Sequence, residues 1–378
     1  VQLSKFDDTY IIGSIFFAKE ETNSLDWATL GALYSRSTGS VEDAVRNVVE
    51  KRSRVIEQYF VGYGHKSIGD MVDVKMFIEG VPIFIAFLLE HHSLFRGQES
   101  STRYIDFTNQ PAPSCVDRTW YNNRIDDYSK SLAIVTSNLL YYVDNNKALT
   151  DQERKIHERA AKARAFDVCR CLLPNAASTN VAWFGTINSI SNHLKWLSQE
   201  YPRYEPWFAD IRNALAHEYP EIKNLEPVAN DPWTYDLIPS TGRYMAGLLD
   251  FGSLRDLNRH RVGRHKKLSE TVESYMHPWY IKQLEIHNAL PIGLFDTLEA
   301  ASLENALLGQ MVRYAYRAPI AQMEYVVRLR SRTTVHPTLR LEIQDQFKNN
   351  PWVDITPDAQ GYGYFVSRGK QTIEQKVE

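Results

Sequence analysis

Cysteine is scarce in this chain. Cys115, Cys169 and Cys171 are the only three in 378 residues, and no Cys-x-x-Cys pair exists. An odd, unpaired set supplies neither a disulfide framework nor a zinc site, and a reducing compartment is the default. Long hydrophobic runs are missing as well. No apolar stretch approaches the roughly 20 residues that span a bilayer, and none reads as a signal peptide, so a cytoplasmic protein without a membrane partner is expected. Neither sign of charge dominates: 43 Lys and Arg face 46 Asp and Glu, a net charge of −3. That balance argues against a dedicated nucleic-acid or membrane-surface binder. Glycine-rich phosphate signatures are also absent. No Gly-x-Gly-x-x-Gly follows a strand, and there is no Gly-x-x-x-x-Gly-Lys-Ser/Thr loop, no Gly-x-Ser-x-Gly elbow and no His-Glu-x-x-His. The usual dinucleotide and nucleoside-triphosphate folds are therefore not indicated.

Apolar residues, by contrast, make up 43% of the chain, enough for two ordinary domains or one large one. The 21 Tyr, 16 Phe and 8 Trp suit pockets for flat ligands as well as cores. Patterning predicts a strand or buried segment over 10–17, a helix over 28–34 and a further helix capped by Ser40 with Asp43 three positions on. A strand over 71–78 ends at Glu79-Gly80, and Pro82 opens an apolar helix over 83–90. Helices follow over 128–143 and 152–173, then a short strand over 181–184 and a helix over 187–197. Five prolines between 200 and 236 read as a junction. Beyond it, 244–257 and 303–330 read as helices, and the residues after about 361 as a polar tail.

The stretch Leu94–Phe107, Leu-Phe-Arg-Gly-Gln-Glu-Ser-Ser-Thr-Arg-Tyr-Ile-Asp-Phe, is dense in chemistry and follows the apolar run directly. Arg103 offers a two-pronged donor set for phosphate or carboxylate, and Gln98 and Glu99 suit the polar edge of a small planar ligand. Ordinary solvated polar residues at a helix exit explain it equally well. The neighbouring His91 and His92 point about 100° apart on a helix, so a shared metal is not expected. A basic run, Arg255 to Lys267, reads as a solvated face or as a seat for a phosphate-bearing cofactor.

Gly64-His65-x-Ser67, Ile78-Glu79-Gly80-Val81 and Gln98-Glu99-x-Ser101-x-Arg103-Tyr104 come in one order and spacing. Together they resemble the flavin-dependent thymidylate synthases, whose signature is an Arg-His-Arg triplet, a serine and Glu-x-Ser-x-Arg-Tyr. In the first half the triplet reads His91-His92-Ser93 and the serine position Arg96. In the second half Arg259-His260-Arg261 is intact, but the nucleotide loop reads Lys267-Leu268-Ser269-Glu270-Thr271-Val272. Arg170 before Leu172-Leu173-Pro174 resembles the family's Arg-x-x-Leu-Pro segment, and Leu329-Arg330 its closing Leu-Arg.

The resemblance implies an α+β protein of two tandem family-like units, 1–225 and 226–378, each a small mostly antiparallel sheet with long helices. It implies C5-methylation of a pyrimidine deoxynucleotide, most simply dUMP to dTMP, with FAD as cofactor and methylenetetrahydrofolate and NADPH as co-substrates. Gln98, Glu99, Ser101, Arg103, Tyr104 and Arg170 would meet the nucleotide, with Arg330 as the activating arginine and Ser101 also catalytic. His65, Ser67, Asp70, His92, Asn192, Arg259, His260 and Arg261 would face the flavin. Leu88 and Asp256 stand where the family has a glutamine. A homodimer of two-unit chains would reproduce the family's tetramer, with half as many competent sites. Alternatives are a catalytically silent nucleotide-binding homologue, C5-hydroxymethylation, or another pyrimidine nucleotide.

Overall fold

In the computed structural model, the apolar run beginning at Phe77 resolves into a strand that feeds a wholly buried helix. The structure describes residues 3–6, 15–18, 23–34, 41–46, 48, 66–219 (without 93, 114, 147 and 148), 243–260, 264–265, 270–347 (without 300, 333 and 334), 356–357 and 364–365. The chain divides into two compact units. One holds 1–76 and 182–235, and the other holds 77–181 and 236–378.

In the first unit, β1 (Leu3–Phe6) pairs antiparallel with β2 (Ile15–Ala18). Asn23 accepts from the Leu25 amide at 2.8 Å and starts α1 (Ser24–Tyr34). Leu30, Ala44 and Val48 form a small core under Trp27 and Leu33, across α1 and α2 (Val41–Val45). The rest of the helix expected after Ser40 lies outside the described residues. The short α3 (Lys66–Gly69) precedes β3 (Asp73–Pro82), which begins in this unit.

In the second unit, Pro82 fixes the entry to α4 (Ile83–Glu90), and every residue of α4 is buried. A helix that is apolar all round belongs in a core. β4 (Arg96–Glu99) follows. Asp117 caps α5 (Arg118–Asn145), and a Thr150–Glu153 capping box starts α6 (Asp151–Cys169). The 3-10 turn Arg170–Leu172 leads to β5 (Ser178–Thr186), which runs on into the first unit. There Thr186 caps α7 (Ile187–Glu200), and α8 (Glu205–Glu218) follows. The expected proline-rich junction therefore contains a helix. Pro202 and Pro206 sit in first turns, where a missing N–H costs nothing.

Two expectations in the second half need correction. The helix over 244–257 is instead β6 (Arg243–Asp250) followed by α9 (Phe251–Asn258). Asp250 is the break: its carboxylate accepts from the Ser253 amide at 2.9 Å and caps α9. The helix over 303–330 is a 3-10 turn, then β8 (Met311–Ala318), then α11 (Ile320–Arg330). Val312, Tyr314, Tyr316 and Ala318 are buried in strict alternation, the period of a strand. Pro319 ends β8 and opens α11 just as Pro82 opens α4. The remaining elements here are β7 (Arg264–His265), α10 (Pro278–Ile286), α12 (Pro337–Phe347), and the pair β9 (Thr356–Pro357) and β10 (Tyr364–Phe365). The chain is thus α+β with small sheets. Two of these have matching orders, β3-β5-β4 and β6-β8-β7.

The match extends to individual hydrogen bonds. Ile83 N donates to Ala177 O (3.0 Å) and Phe251 N to Gln310 O (3.1 Å). Phe84 N donates to Asn175 O (3.1 Å) and Gly252 N to Leu308 O (3.0 Å). Asn175 N donates to Ala306 O (2.9 Å), and Leu308 N returns the bond to Leu173 O (3.0 Å) around the antiparallel bridge Pro174–Leu307. The two buried helices lie together: Phe87 packs on Phe251 at 5.1 Å between ring centroids, and Asn258 donates to the Phe87 carbonyl at 3.2 Å.

Gly309 sits in this junction, and a Cβ there would collide with Met276 and with Cys171, whose Cα is 3.0 Å away. Gly309→Ala is therefore expected to lose about 1–3 kcal/mol of stability, measured as a lower midpoint in chemical denaturation. An unchanged midpoint would show that the junction yields freely.

Candidate functional site

The polar residues of interest converge where the ends of α4 and α9 meet α6 and its 3-10 turn, all within the second unit. Arg103 turns its guanidinium onto Asp167 with two bonds, Nε at 2.5 Å and Nη2 at 2.6 Å. The Ser101 hydroxyl accepts from the Arg103 amide at 3.3 Å, which shapes the loop. Glu99, at the end of β4, is ion-paired with Arg255 of α9, and both side chains are inaccessible. Arg255 also approaches the Thr102 hydroxyl at 3.5 Å. Gln98 and Tyr104 are exposed.

Arg170 is 1% exposed. Its Nε donates to the Tyr280 hydroxyl at 3.0 Å and its Nη1 to Asp256 at 3.3 Å, while Nη2 lies 3.8 Å from Asp250. That Nη2 and Oδ2 of Asp250 have no hydrogen-bond partner among the described residues. Gly252 permits the approach, since a Cβ there would lie 3.2 Å from the Arg170 guanidinium carbon. On the other side Arg259 stands 3.8 Å from Asp256. Burial alone would raise the Asp256 carboxyl, but Arg170, Arg259, Arg330 and Arg103 outweigh it and hold it well below the usual carboxylate range.

Arg330 Nε donates to His260 Nε2 at 2.7 Å. Burial first, and the Arg330 charge second, push His260 down to about 3. His260 is therefore neutral at ordinary pH. With Nε2 accepting from Arg330, its proton sits on Nδ1.

Of the residues singled out from sequence, the structure gathers Glu99, Arg103, Arg170, Arg259, His260 and Arg330, with Ser101 shaping the loop. His92 is buried, and its Nδ1 accepts from the Leu94 amide at 3.3 Å. Asp70 and Asn192 belong to the first unit, joined through Asn188: Asn188 donates to Asp70 at 2.9 Å and Asn192 to Asn188 at 3.2 Å. His65, the side chain of Ser67, and Arg261 lie outside the described residues. Sequence reasoning missed Asp167, Asp250, Tyr280 and Glu90 altogether, and it read Arg255 only as part of a basic run and not as the partner of Glu99. A buried carboxylate has no local signature, although Glu90, charged at the end of an apolar run, was a visible anomaly.

An arginine cluster beside a Glu-x-Ser-x-Arg-Tyr loop is chemically suited to anionic ligands. The family model described as thymidylate synthase complementing protein matches residues 19–215, a little over half of the chain. The chain belongs to that family, to which its motifs already pointed. A search of curated proteins gives no match. No described helix is long and apolar enough to cross a membrane.

Two predictions follow from the electrostatics. Arg103 and Asp167 form a largely buried pair (side chains 16% and 4% exposed), so Asp167→Ala is expected to cost about 3–5 kcal/mol. The check is chemical denaturation beside the Arg103→Ala, Asp167→Ala double variant, which should recover part of the loss. Glu90 is raised from 4.5 to about 8 by burial and by the Glu99 charge. The folded state then holds a proton that the unfolded state releases, so stability falls as pH rises from about 4.5 to about 8. Glu90→Gln should flatten that decline, and an identical pH slope in variant and wild type would contradict the assignment.

Proposed function

We propose that the protein is a flavin-dependent C5-methyltransferase of a pyrimidine deoxynucleotide, converting dUMP to dTMP with methylenetetrahydrofolate, FAD and NADPH. The observation that carries this reading is that buried ion pairs draw residues of both halves of the chain together, Glu99 with Arg255 and Arg170 with Asp256. Glu99, Arg103 and Arg170 come from the first half, and Arg259, His260 and Arg330 from the second. The matching sheet orders and recurring junction bonds support two family units in tandem. Each unit keeps a complementary part of the motif, so a single complete site needs both. On the same reading two chains associate as a homodimer that stands in for a tetramer.

The donor set fits the ligands in chemistry. Arg103 and Arg170 bring guanidinium groups suited to a phosphate and to the pyrimidine carbonyls. The buried Nη2 of Arg170 has no hydrogen-bond partner among the described residues. Arg259 is 40% exposed at its side chain, open to the diphosphate or ring edge of a flavin. When bound, the flavin supplies the hydride and the folate the one-carbon unit; the protein positions and polarises. Arg330 would polarise a ring carbonyl, which makes the conjugated carbon 6 electron-poor and stabilises the enolate through which carbon 5 reacts. Neutral His260 takes one Arg330 donor and so fixes the plane of the guanidinium. Ser101 holds the loop that presents Arg103.

A second reading, a silent nucleotide-binding homologue, draws on the carboxylates that already engage Arg103 and Arg170. The test is tritium release from 5-tritiated dUMP with FAD, NADPH and methylenetetrahydrofolate. Wild type should release tritium, and Arg330→Lys should be slower by about 100- to 1,000-fold with flavin retained. Arg103→Ala should lose dUMP binding while keeping flavin. A colourless protein that takes up no added FAD and releases no tritium would overturn the enzyme reading.

A further inference from the structure

Besides Glu99 on Arg255, three aspartates among the described residues face the arginines of the site, and they are not equivalent. Asp250 caps α9 and accepts from the Tyr280 hydroxyl at 3.0 Å, so the fold uses it. Asp167 holds Arg103 with two bonds from the last turn of α6, whose backbone is itself fixed by His336 Nε2 on the Asp167 carbonyl at 3.0 Å. Asp256 differs. Its described contacts are to guanidinium groups alone, Arg170 at 3.3 Å and Arg259 at 3.8 Å. It caps no helix. Arg330 and Arg103 also act on it through space. Its side chain is 10% exposed, against 4% for Asp167 and none for Asp250, so it is the least buried of the three.

We propose that Asp256 is a resident anion of this arginine cluster, occupying guanidinium faces that a ligand phosphate would otherwise use, and that it thereby sets the site's affinity for phosphate. A dianionic phosphate entering here meets one negative charge held among its own cations, and like charges in a poorly solvated site repel strongly. The base and sugar of a nucleotide carry no such charge. Asp256 therefore shifts recognition away from the phosphate and toward the rest of the ligand, which makes it a specificity-determining residue. The inference rests on the reading above only for the identity of the anion.

The test compares wild type with Asp256→Asn and Asp256→Gln, two neutral replacements that keep a polar group among the guanidiniums. Binding of dUMP, deoxyuridine and inorganic phosphate is measured by titration calorimetry at low and moderate salt. Both variants should bind dUMP and phosphate at least about tenfold more tightly than wild type, with unchanged affinity for deoxyuridine. Their dUMP affinity should also fall more steeply with salt. Asp256→Glu, which keeps the charge, should behave as wild type. Unchanged or weaker phosphate and dUMP binding in the neutral variants would overturn the inference. So would parallel loss of deoxyuridine affinity, or failure of both neutral variants to fold, because either outcome makes Asp256 a scaffold for the arginines. If the variants gain phosphate affinity while no form binds dUMP, the nucleotide reading falls and the resident anion stands.

Discussion

The buried contact of Arg170 with Asp250, Asp256 and Tyr280 is the constraint around which the second unit is arranged. A guanidinium taken wholly out of water is tolerated only where carboxylates and hydroxyls replace its hydration. Meeting that demand brings three pieces of chain to one point: the 3-10 turn after α6, the start of α9 and the first turn of α10. Asp250 meets two needs at once, since it caps α9 and faces Arg170. Gly252 keeps the helix surface low enough for the guanidinium to lie against it. The remaining members of the cluster, Arg103 on Asp167 and Arg259 on Asp256, extend the same alternation of charge outward to where the burial ends.

That alternation decides what the site can do. The arginines without their carboxylates would repel one another and bind any anion. With them, each guanidinium is held in one orientation and only part of its charge faces a ligand. His260 adds a neutral partner for Arg330, because burial and that same arginine keep it unprotonated. The cluster is thus pre-organised and only weakly cationic, a setting that favours recognition by geometry over attraction by charge.

Much of the scaffold was legible in the sequence where periodicity and punctuation agree. Pro82 before an unbroken apolar octet marks α4, and Thr150 with Glu153 marks the start of α6. Where a strand runs directly into a helix the signal blurs. Tyr244–Leu249 is a short apolar run that suits either state, and the Asp250 cap that separates β6 from α9 looks like one more charged residue inside a helix. In the site, the cations were readable from motif spacing, namely Arg103, Arg170, Arg259 and Arg330. Their carboxylates were not. Asp167, Asp250 and Asp256 derive their meaning from contacts 64, 80 and 86 positions away along the chain, and no local pattern encodes a partner that distant.

The central claim is that each chain assembles one complete nucleotide site from a nucleotide loop in its first half and an Arg-His-Arg segment in its second. Equilibrium dialysis of dUMP against the flavin-loaded protein tests it most directly. The account predicts saturation at one dUMP per chain, abolished alike by Arg103→Ala in the first half and by Arg330→Ala in the second. Two dUMP per chain, or binding that survives either substitution unchanged, would contradict it.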